Sequence, residues 1–255
     1  IMNQTFDKMF YPLLAESRPN AMSELGIYGA AYKIAIVMVM FTQAFRFAYE
    51  PFIFAKNKES GDENKKSYSD AMKYFVIFGL FIFLGVMFYL DLVRFLMPKE
   101  YFTGIEVVPI VMLAELFFGI FFNLSLWYKL TDQTQWGAWF SLFGFVVTAA
   151  INIMFVPRFG YMACAWAAFF CYFSMMMASY FIGQKKYPIK YDLPSMGRYA
   201  VLTLVLYAVA IWVDIDNLVL KLLFRTALLS VFVVYMVKRD LPIKEIPLIN
   251  KLIKK

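Results

Sequence analysis

Long apolar runs, separated by short polar stretches, divide the chain into seven segments of membrane-spanning length. A run of about 18 or more apolar residues can cross a bilayer as a helix. Alternating strands of a β-barrel would give a weaker signal in shorter segments. The pattern therefore predicts an all-α integral membrane protein of about seven transmembrane helices, in which Pro51 closes the first span and Pro157 the fourth. The predicted spans are Gly26–Tyr49, Ala71–Leu96, Ile105–Lys129, Trp136–Val156, Tyr161–Ile182, Tyr199–Val213 and Leu218–Val237.

The spans fall into two groups. Residues 26–182 hold five of them, and residues 199–237 hold the last two, after a loop at 183–198. Residues 1–25 are interpreted as the end of a preceding helix and an outer loop, because they carry several polar residues and no signal peptide. Residues 238–255 form a basic tail. Because residues 1–25 are interpreted as the end of an earlier helix, we expect the chain to be the C-terminal part of a longer protein.

Composition and charge agree with a membrane protein. The hydrophobic share is 62% and the charged share 17%, whereas soluble domains have about 25% charged residues. The net charge of +7 comes from lysines and arginines in alternate loops, chiefly 56–73, 185–198 and 238–255. The positive-inside rule places these segments in the cytoplasm, so the N-terminus lies outside and the C-terminus inside. Membrane lipids, rather than nucleic acid, explain the basic character.

Histidine is absent from the sequence. This excludes Ser-His-Asp and Cys-His nucleophiles and makes most zinc sites impossible. Cys164 and Cys171 lie in an apolar run and are interpreted as core residues. We expect no metal and no cofactor.

Four stretches resemble one family: Leu25–Lys33, Gln43–Phe52, Asn123–Lys129 and Asn152–Ala167. The first two are similar to the beginning and the end of the eighth helix in polysaccharide (O-antigen-type) flippases. These proteins export lipid-linked oligosaccharides and belong to the MOP superfamily, which includes the MATE drug antiporters. The third is similar to the end of the tenth helix, and the fourth to a turn that is widespread in the superfamily. One departure is visible, since Ala163-Cys164 stands where the family has Gly-Ala, and a slightly looser helix approach is expected there.

The resemblance implies the second lobe of a two-lobed transporter, plus two extra C-terminal helices. Its partners would be a lipid-linked oligosaccharide, membrane lipids, the missing N-terminal half and glycan polymerase machinery, all at a bacterial inner membrane. The function implied is flipping of undecaprenyl-diphosphate-linked oligosaccharide by alternating access. The alternative is a MATE-like small-molecule antiporter. A membrane polymerase or glycosyltransferase is disfavoured, because no paired acidic motif lies at an interface.

Polar residues in the first span are candidates for a substrate cavity. Lys33 lies about two turns inside it, where it either meets a diphosphate or snorkels to the interface. Gln43, Arg46 and Glu50 share a helical face, either as a polar stripe at the cavity mouth or as a local Arg46–Glu50 ion pair. Lys33 and Arg46 point to nearly opposite sides of a straight helix, at about 100° per residue.

Glu115 stands near the middle of the third span among Leu and Phe residues, with Asn123 two turns further on. A carboxyl group at that depth must be protonated, paired or in contact with water. Two interpretations stay open for this pair of residues. They form a site for a coupling ion or proton, or Glu115 is neutral and donates a structural hydrogen bond to a neighbouring helix.

Overall fold

The computed structural model describes residues 10–15, 18–56, 61–95, 97–213 and 215–240. Within this part of the chain, seven helices are long and apolar enough to cross a membrane, and no strand is present. This confirms the predicted all-α membrane class. The seven helices are α1 (Ala21–Lys56), α2 (Gly61–Phe88), α3 (Val108–Leu124), α4 (Gln135–Phe159), α5 (Tyr161–Lys186), α6 (Leu193–Trp212) and α7 (Leu218–Arg239).

Prolines do not close the helices that the sequence analysis assigned them to close. Helix α1 runs through Pro51 to Lys56, and α4 runs through Pro157 to Phe159. Those two predicted ends were wrong, because neighbouring groups in a membrane bundle satisfy the backbone that a proline disrupts. Helix α4 ends instead at Gly160, whose φ of 59° suits a residue without a side chain.

Two predicted spans are interrupted rather than continuous. The second ends at Phe88 and is followed by a separate short helix, Leu90–Arg94, while Leu96 lies outside the described residues. The third begins as a 3-10 helix at Lys99–Val107, and Ser125 separates α3 from a short helix at Leu126–Leu130. The Ser125 hydroxyl donates to the Phe122 carbonyl at 2.6 Å, a local bond that competes with the helical pattern.

The loop predicted at 183–198 is shorter than expected. Helix α5 continues to Lys186, and α6 already begins at Leu193, capped by the Asp192 side chain, which accepts from the Ser195 amide at 3.1 Å. Helix α7 is capped in the same way by Asn217. The beginning of α1 at Ala21 likewise shortens the predicted segment 1–25. Residues 1–9 and 241–255 lie outside the described residues, and so does most of the predicted basic tail.

Helix α3 is the centre of a five-helix bundle. It packs against α1, α2 and α5, and α4 packs on α5. Helices α6 and α7 pack against each other and against α2, so they stand outside the five-helix bundle. Only 6% of the apolar stretch of α7 is buried, compared with 56% for α2.

Ion pairs hold α7 against α2 at both ends. Beyond the end of α2, Asp91 accepts from Arg225 at 2.8 Å and pairs with Lys221 at 3.1 Å. At the other end, Asp240 accepts from Lys73 at 2.8 Å and from the Tyr199 hydroxyl at 2.5 Å. Because few apolar side chains of α7 are buried, these polar contacts add to the packing of Phe232 and Met236 in attaching it.

Side-chain contacts also show which loops share an end of the bundle. Lys129 pairs with Glu50, Lys186 donates to Gln133, and the Ser69 hydroxyl donates to the Lys190 carbonyl. We call this end, with Glu50, Lys129, Lys186, Lys190 and Asp240, the basic end. At the opposite end, Arg18 donates to the Arg158 carbonyl, and Tyr161 donates to the Thr103 carbonyl. The alternation of loops agrees with the predicted topology, while the cytoplasmic assignment of the basic end stays a prediction.

Candidate functional site

Lys33 projects from the exposed face of α1, together with Ile36, Met40 and Phe47. It stands twelve residues after Ala21, the first residue of the helix, and therefore about 18 Å along its axis. The sequence analysis placed it only about two turns inside, because it started the helix at Gly26. Lys33 is thus an exposed cation surrounded by apolar side chains.

The Arg46 side chain lies between the exposed face and α3, because its guanidinium is 5.8 Å from the centre of the Phe47 ring and also contacts α3. Its guanidinium lies 5.1 Å from the centre of the Phe122 ring, a cation–π contact, and its Nε lies 3.7 Å from Glu50 Oε1. The separation of Lys33 and Arg46 onto different sides of α1 agrees with their spacing in the sequence.

Glu50 has a closer partner than Arg46. Lys129, in the short helix after Ser125, donates to Glu50 Oε1 at 2.6 Å, and both side chains are about one quarter exposed. Arg46, Glu50 and Lys129 thus form one network at the basic end. The sequence analysis missed Lys129 as a member, although its charge and its place in the topology pointed to the same end as Glu50.

Asn123 lies next to this network, in a small cavity between α1 and α3. Gln43 is not among the residues that line the cavity. The lining residues are Thr42, Phe45, Arg46, Tyr49, Glu50, Gly119, Phe122, Asn123 and Leu126. The Asn123 side chain donates to the Gly119 carbonyl at 3.0 Å. Gly119 permits this close approach of the helices, because a Cβ there would lie 2.8 Å from Thr42 Oγ1 and would clash with Phe75.

Glu115 is almost fully buried, at 2% exposure, between α3 and α1. The Tyr32 hydroxyl donates to its Oε1 at 2.6 Å. Glu115 thus has a hydrogen bond to a neighbouring helix, but Tyr32 is its donor, whereas the structural interpretation expected Glu115 to donate. Glu115 and Asn123 lie on one side of α3, with Gly119 between them, and the Asn123 side chain donates to the Gly119 carbonyl whereas Glu115 accepts from Tyr32. Sequence reasoning missed Tyr32, which nothing in the residue pattern distinguishes from other tyrosines in the helix.

Larger concave surfaces of the chain are apolar. A groove of about 380 Å³ lies between α4 and α5, with Phe155, Trp166 and Phe170 in its walls. Another, of about 520 Å³, lies between α6 and α7, where Arg198 and Tyr235 are its polar members. In the described part of the chain, no three His, Cys, Asp or Glu side chains come together as a metal site would require.

No protein-family model matches the chain, and no curated protein matches it in sequence. Its fold is similar to the solved structure of the lipid II flippase MurJ in an inward closed conformation. The TM-score is 0.63 at 14% identity, over 93% of this chain and 55% of the MurJ chain. This chain therefore spans about half the length of MurJ. The similarity shows that this chain and that part of MurJ share a fold.

Proposed function

We propose that the chain is part of a membrane transporter that flips a lipid-linked substrate by alternating access. The observation that carries the proposal is the similarity to a flippase fold over 93% of the chain. Transporters of this kind move helix bundles against each other around a site near the middle of the bilayer. A bundle of five helices with two further helices attached outside it is suited to such a movement. In this proposal, a second bundle outside residues 1–255 supplies the opposing half of the transporter.

The proposed substrate is an undecaprenyl-diphosphate-linked oligosaccharide used for surface polysaccharide or O-antigen synthesis. Support comes from the stretches Leu25–Lys33, Gln43–Phe52 and Asn123–Lys129, which resemble flippases of that type. A diphosphate is a strong hydrogen-bond acceptor that basic side chains recognise. Lys33 and Arg46, both in α1, fit that chemistry.

Within the site, we assign Lys33 to the diphosphate because it is an exposed cation surrounded by apolar side chains. Arg46, Gln43 and Glu50 would line the mouth of the cavity at the basic end. Glu115 and Asn123 are the candidates for coupling to an ion or proton, since a charge at such depth costs about 2.5–3.5 kcal/mol and needs a reason. The hydrogen bond from Tyr32 gives Glu115 a fixed position.

The proposed location is a bacterial inner membrane, with the basic end in the cytoplasm and the N-terminus of this chain outside. The clustering of lysines at one end of the bundle supports this orientation. Membrane lipids would surround the protein. A glycan polymerase that takes up the flipped product is a proposed partner.

The test is a flipping assay with the full-length protein in proteoliposomes. A lipid-diphosphate-linked glycan should become accessible to a membrane-impermeant oxidant faster than in protein-free liposomes. Lys33→Met keeps the length of the side chain but removes its charge, and we expect it to slow transfer at least about tenfold, the effect of 1.4 kcal/mol. Lys66→Met, at an exposed lysine before the apolar part of α2, is the matched control and should transfer at the wild-type rate.

Each outcome addresses a different part of the proposal. Equal rates with and without wild-type protein would show that the chain does not flip this class of lipid. A wild-type rate for Lys33→Met, with flipping intact, would remove Lys33 from the substrate site and leave the transport function standing.

A further inference from the structure

Two small cavities flank the break between α3 and the short helix Leu126–Leu130. Each has a volume of about 10 Å³. One, the α1 cavity, has Thr42, Arg46 and Asn123 among its lining residues. The other, the α5 cavity, has Trp127, Ser179 and Gly183 among its lining residues. Each has two buried polar atoms in its wall that have no hydrogen-bond partner in the described part of the chain.

In the α1 cavity these atoms are Thr42 Oγ1 and Arg46 Nε. Thr42 is only 4% exposed, so bulk water does not reach its hydroxyl group. The hydroxyl group can donate and accept, whereas the Nε–H group can only donate. A single acceptor placed between them would satisfy both atoms.

In the α5 cavity the atoms are Trp127 Nε1 and Ser179 Oγ. Trp127 is 2% exposed and Ser179 is fully buried. The indole N–H group can only donate, so it needs an acceptor that the Ser179 hydroxyl does not provide at hydrogen-bonding distance. Gly183 makes the close approach possible, because a Cβ at that position would lie 2.9 Å from Trp127 Nε1.

The chemistry of the walls limits the occupant. A buried polar atom without a partner costs about 1–3 kcal/mol, so such pairs are unusual unless something bridges them. A cavity holds one water when it offers about 10–15 Å³ and polar partners. A metal cation is disfavoured in the α1 cavity, because Arg46 is positively charged. Anions larger than water exceed the volume of either cavity.

We propose that one structural water occupies each cavity, bridging Thr42 to Arg46 in the α1 cavity and Trp127 to Ser179 in the α5 cavity. The first water extends the network of Arg46, Glu50 and Lys129 into the interior of the bundle. The second fixes the indole of Trp127 against α5. Together they hold the short helix Leu126–Leu130, which follows the break at Ser125, between α1 and α5.

The sign of a stability change tests the proposal. Thr42→Val and Ser179→Ala each remove a hydroxyl group with little change in volume. With a bridging water, each variant deprives the water of a partner and leaves Arg46 Nε or Trp127 Nε1 unsatisfied, so the melting temperature in nanodiscs should fall by a few degrees. Without a water, each variant removes an unsatisfied buried hydroxyl group, and the melting temperature should rise or stay constant.

Thr203→Val is the matched control. Thr203 is 2% exposed and its hydroxyl group also has no partner in the described chain, but it lines neither cavity. The melting temperature of the Thr203→Val protein should therefore rise or stay constant. If Thr42→Val and Ser179→Ala follow Thr203→Val, the proposal is wrong, and if one of them does, it is wrong for that cavity.

A density map of the full-length protein that resolves other buried waters gives a second measurement. It should show a peak within about 3 Å of both Thr42 Oγ1 and Arg46 Nε, and another between Trp127 Nε1 and Ser179 Oγ. The lack of a peak at these places in such a map would overturn the proposal, whatever the melting temperatures.

Discussion

The ion pair between Glu50 and Lys129 should couple α1 to the segment after α3 more strongly than Glu50 couples to Arg46. Lys129 Nζ lies 2.6 Å from Glu50 Oε1, whereas Arg46 Nε lies 3.7 Å from the same oxygen. Lys129 forms a charge-assisted hydrogen bond across two segments, while Arg46 and Glu50 are four residues apart on one helix. Double-mutant cycles with Glu50→Gln, Lys129→Met and Arg46→Met separate the two interactions.

The expected magnitudes follow from geometry and exposure. Hydrogen bonds to charged groups contribute about 1.5–3 kcal/mol, and fully exposed ion pairs about 0.2–1 kcal/mol. Both side chains of the Glu50–Lys129 pair are 28% exposed, so water screens them in part. We expect a coupling free energy of about 1–1.5 kcal/mol for Glu50–Lys129, between those two ranges. For Glu50–Arg46 we expect about 0.3–0.5 kcal/mol, the usual value for such helix pairs.

The assay is reversible unfolding of the purified protein by titration with SDS in mixed micelles. Arg46→Met also removes the cation–π contact with Phe122. That loss occurs both in the single variant and in the double variant with Glu50→Gln, so it cancels in the coupling free energy. Lys186, which donates to Gln133 instead, is the control and should couple to Glu50 by less than about 0.5 kcal/mol. A Glu50–Arg46 coupling equal to or larger than the Glu50–Lys129 coupling would refute the reasoning.

Three further predictions concern coupling, acid stability and topology. Glu115→Gln keeps the size and hydrogen-bonding capacity of the side chain but removes its ability to titrate. It should therefore abolish gradient-driven transport and spare downhill exchange. An unchanged response of transport to a pH gradient would contradict the coupling role of Glu115. Burial alone would raise the pKa of Asp91, but Lys221 and Arg225 outweigh it and hold that pKa below its ordinary value. Stability from this group is therefore complete above about pH 4 and is lost as pH falls further, and Asp91→Asn should flatten that part of the melting-temperature profile. Cysteine at Lys66 should be labelled only from the cytoplasm and cysteine at Thr103 only from outside, while labelling of both from one side would contradict the topology.

The hydropathy pattern predicted the membrane class and the seven spans, because apolar runs of that length have few other uses. The ends of the helices were harder to predict. Pro51 and Pro157 are helix breakers in water, yet both lie inside helices here, since their effect depends on tertiary neighbours that a sequence does not display. The interruption at Ser125 was missed for a related reason, because a serine in an apolar run gives no signal of a break.

The sequence analysis identified several residues of the candidate site, but it missed Lys129 and Tyr32 and could not assign the pairs. Charges at membrane depth are rare, so Lys33, Arg46 and Glu115 were conspicuous from composition alone. Helical periodicity also separated Lys33 from Arg46. It could not indicate which helix lies opposite each face, so the pairing of Glu50 with Lys129 and of Glu115 with Tyr32 required the packing of α1 on α3.

Two consecutive residues of α1, Tyr32 and Lys33, face different surroundings, the interior of the bundle and its exposed surface. Tyr32 turns inward and donates to Glu115, while Lys33, the next residue, is exposed. Successive residues on a helix point about 100° apart, so any rotation of α1 that moves Lys33 also moves the Tyr32 hydroxyl. A lipid diphosphate that draws Lys33 toward itself would therefore act on the hydrogen bond to Glu115 through a single helical segment. If Lys33 binds the diphosphate as we propose, substrate binding and the buried carboxyl group would be linked through this single helical segment.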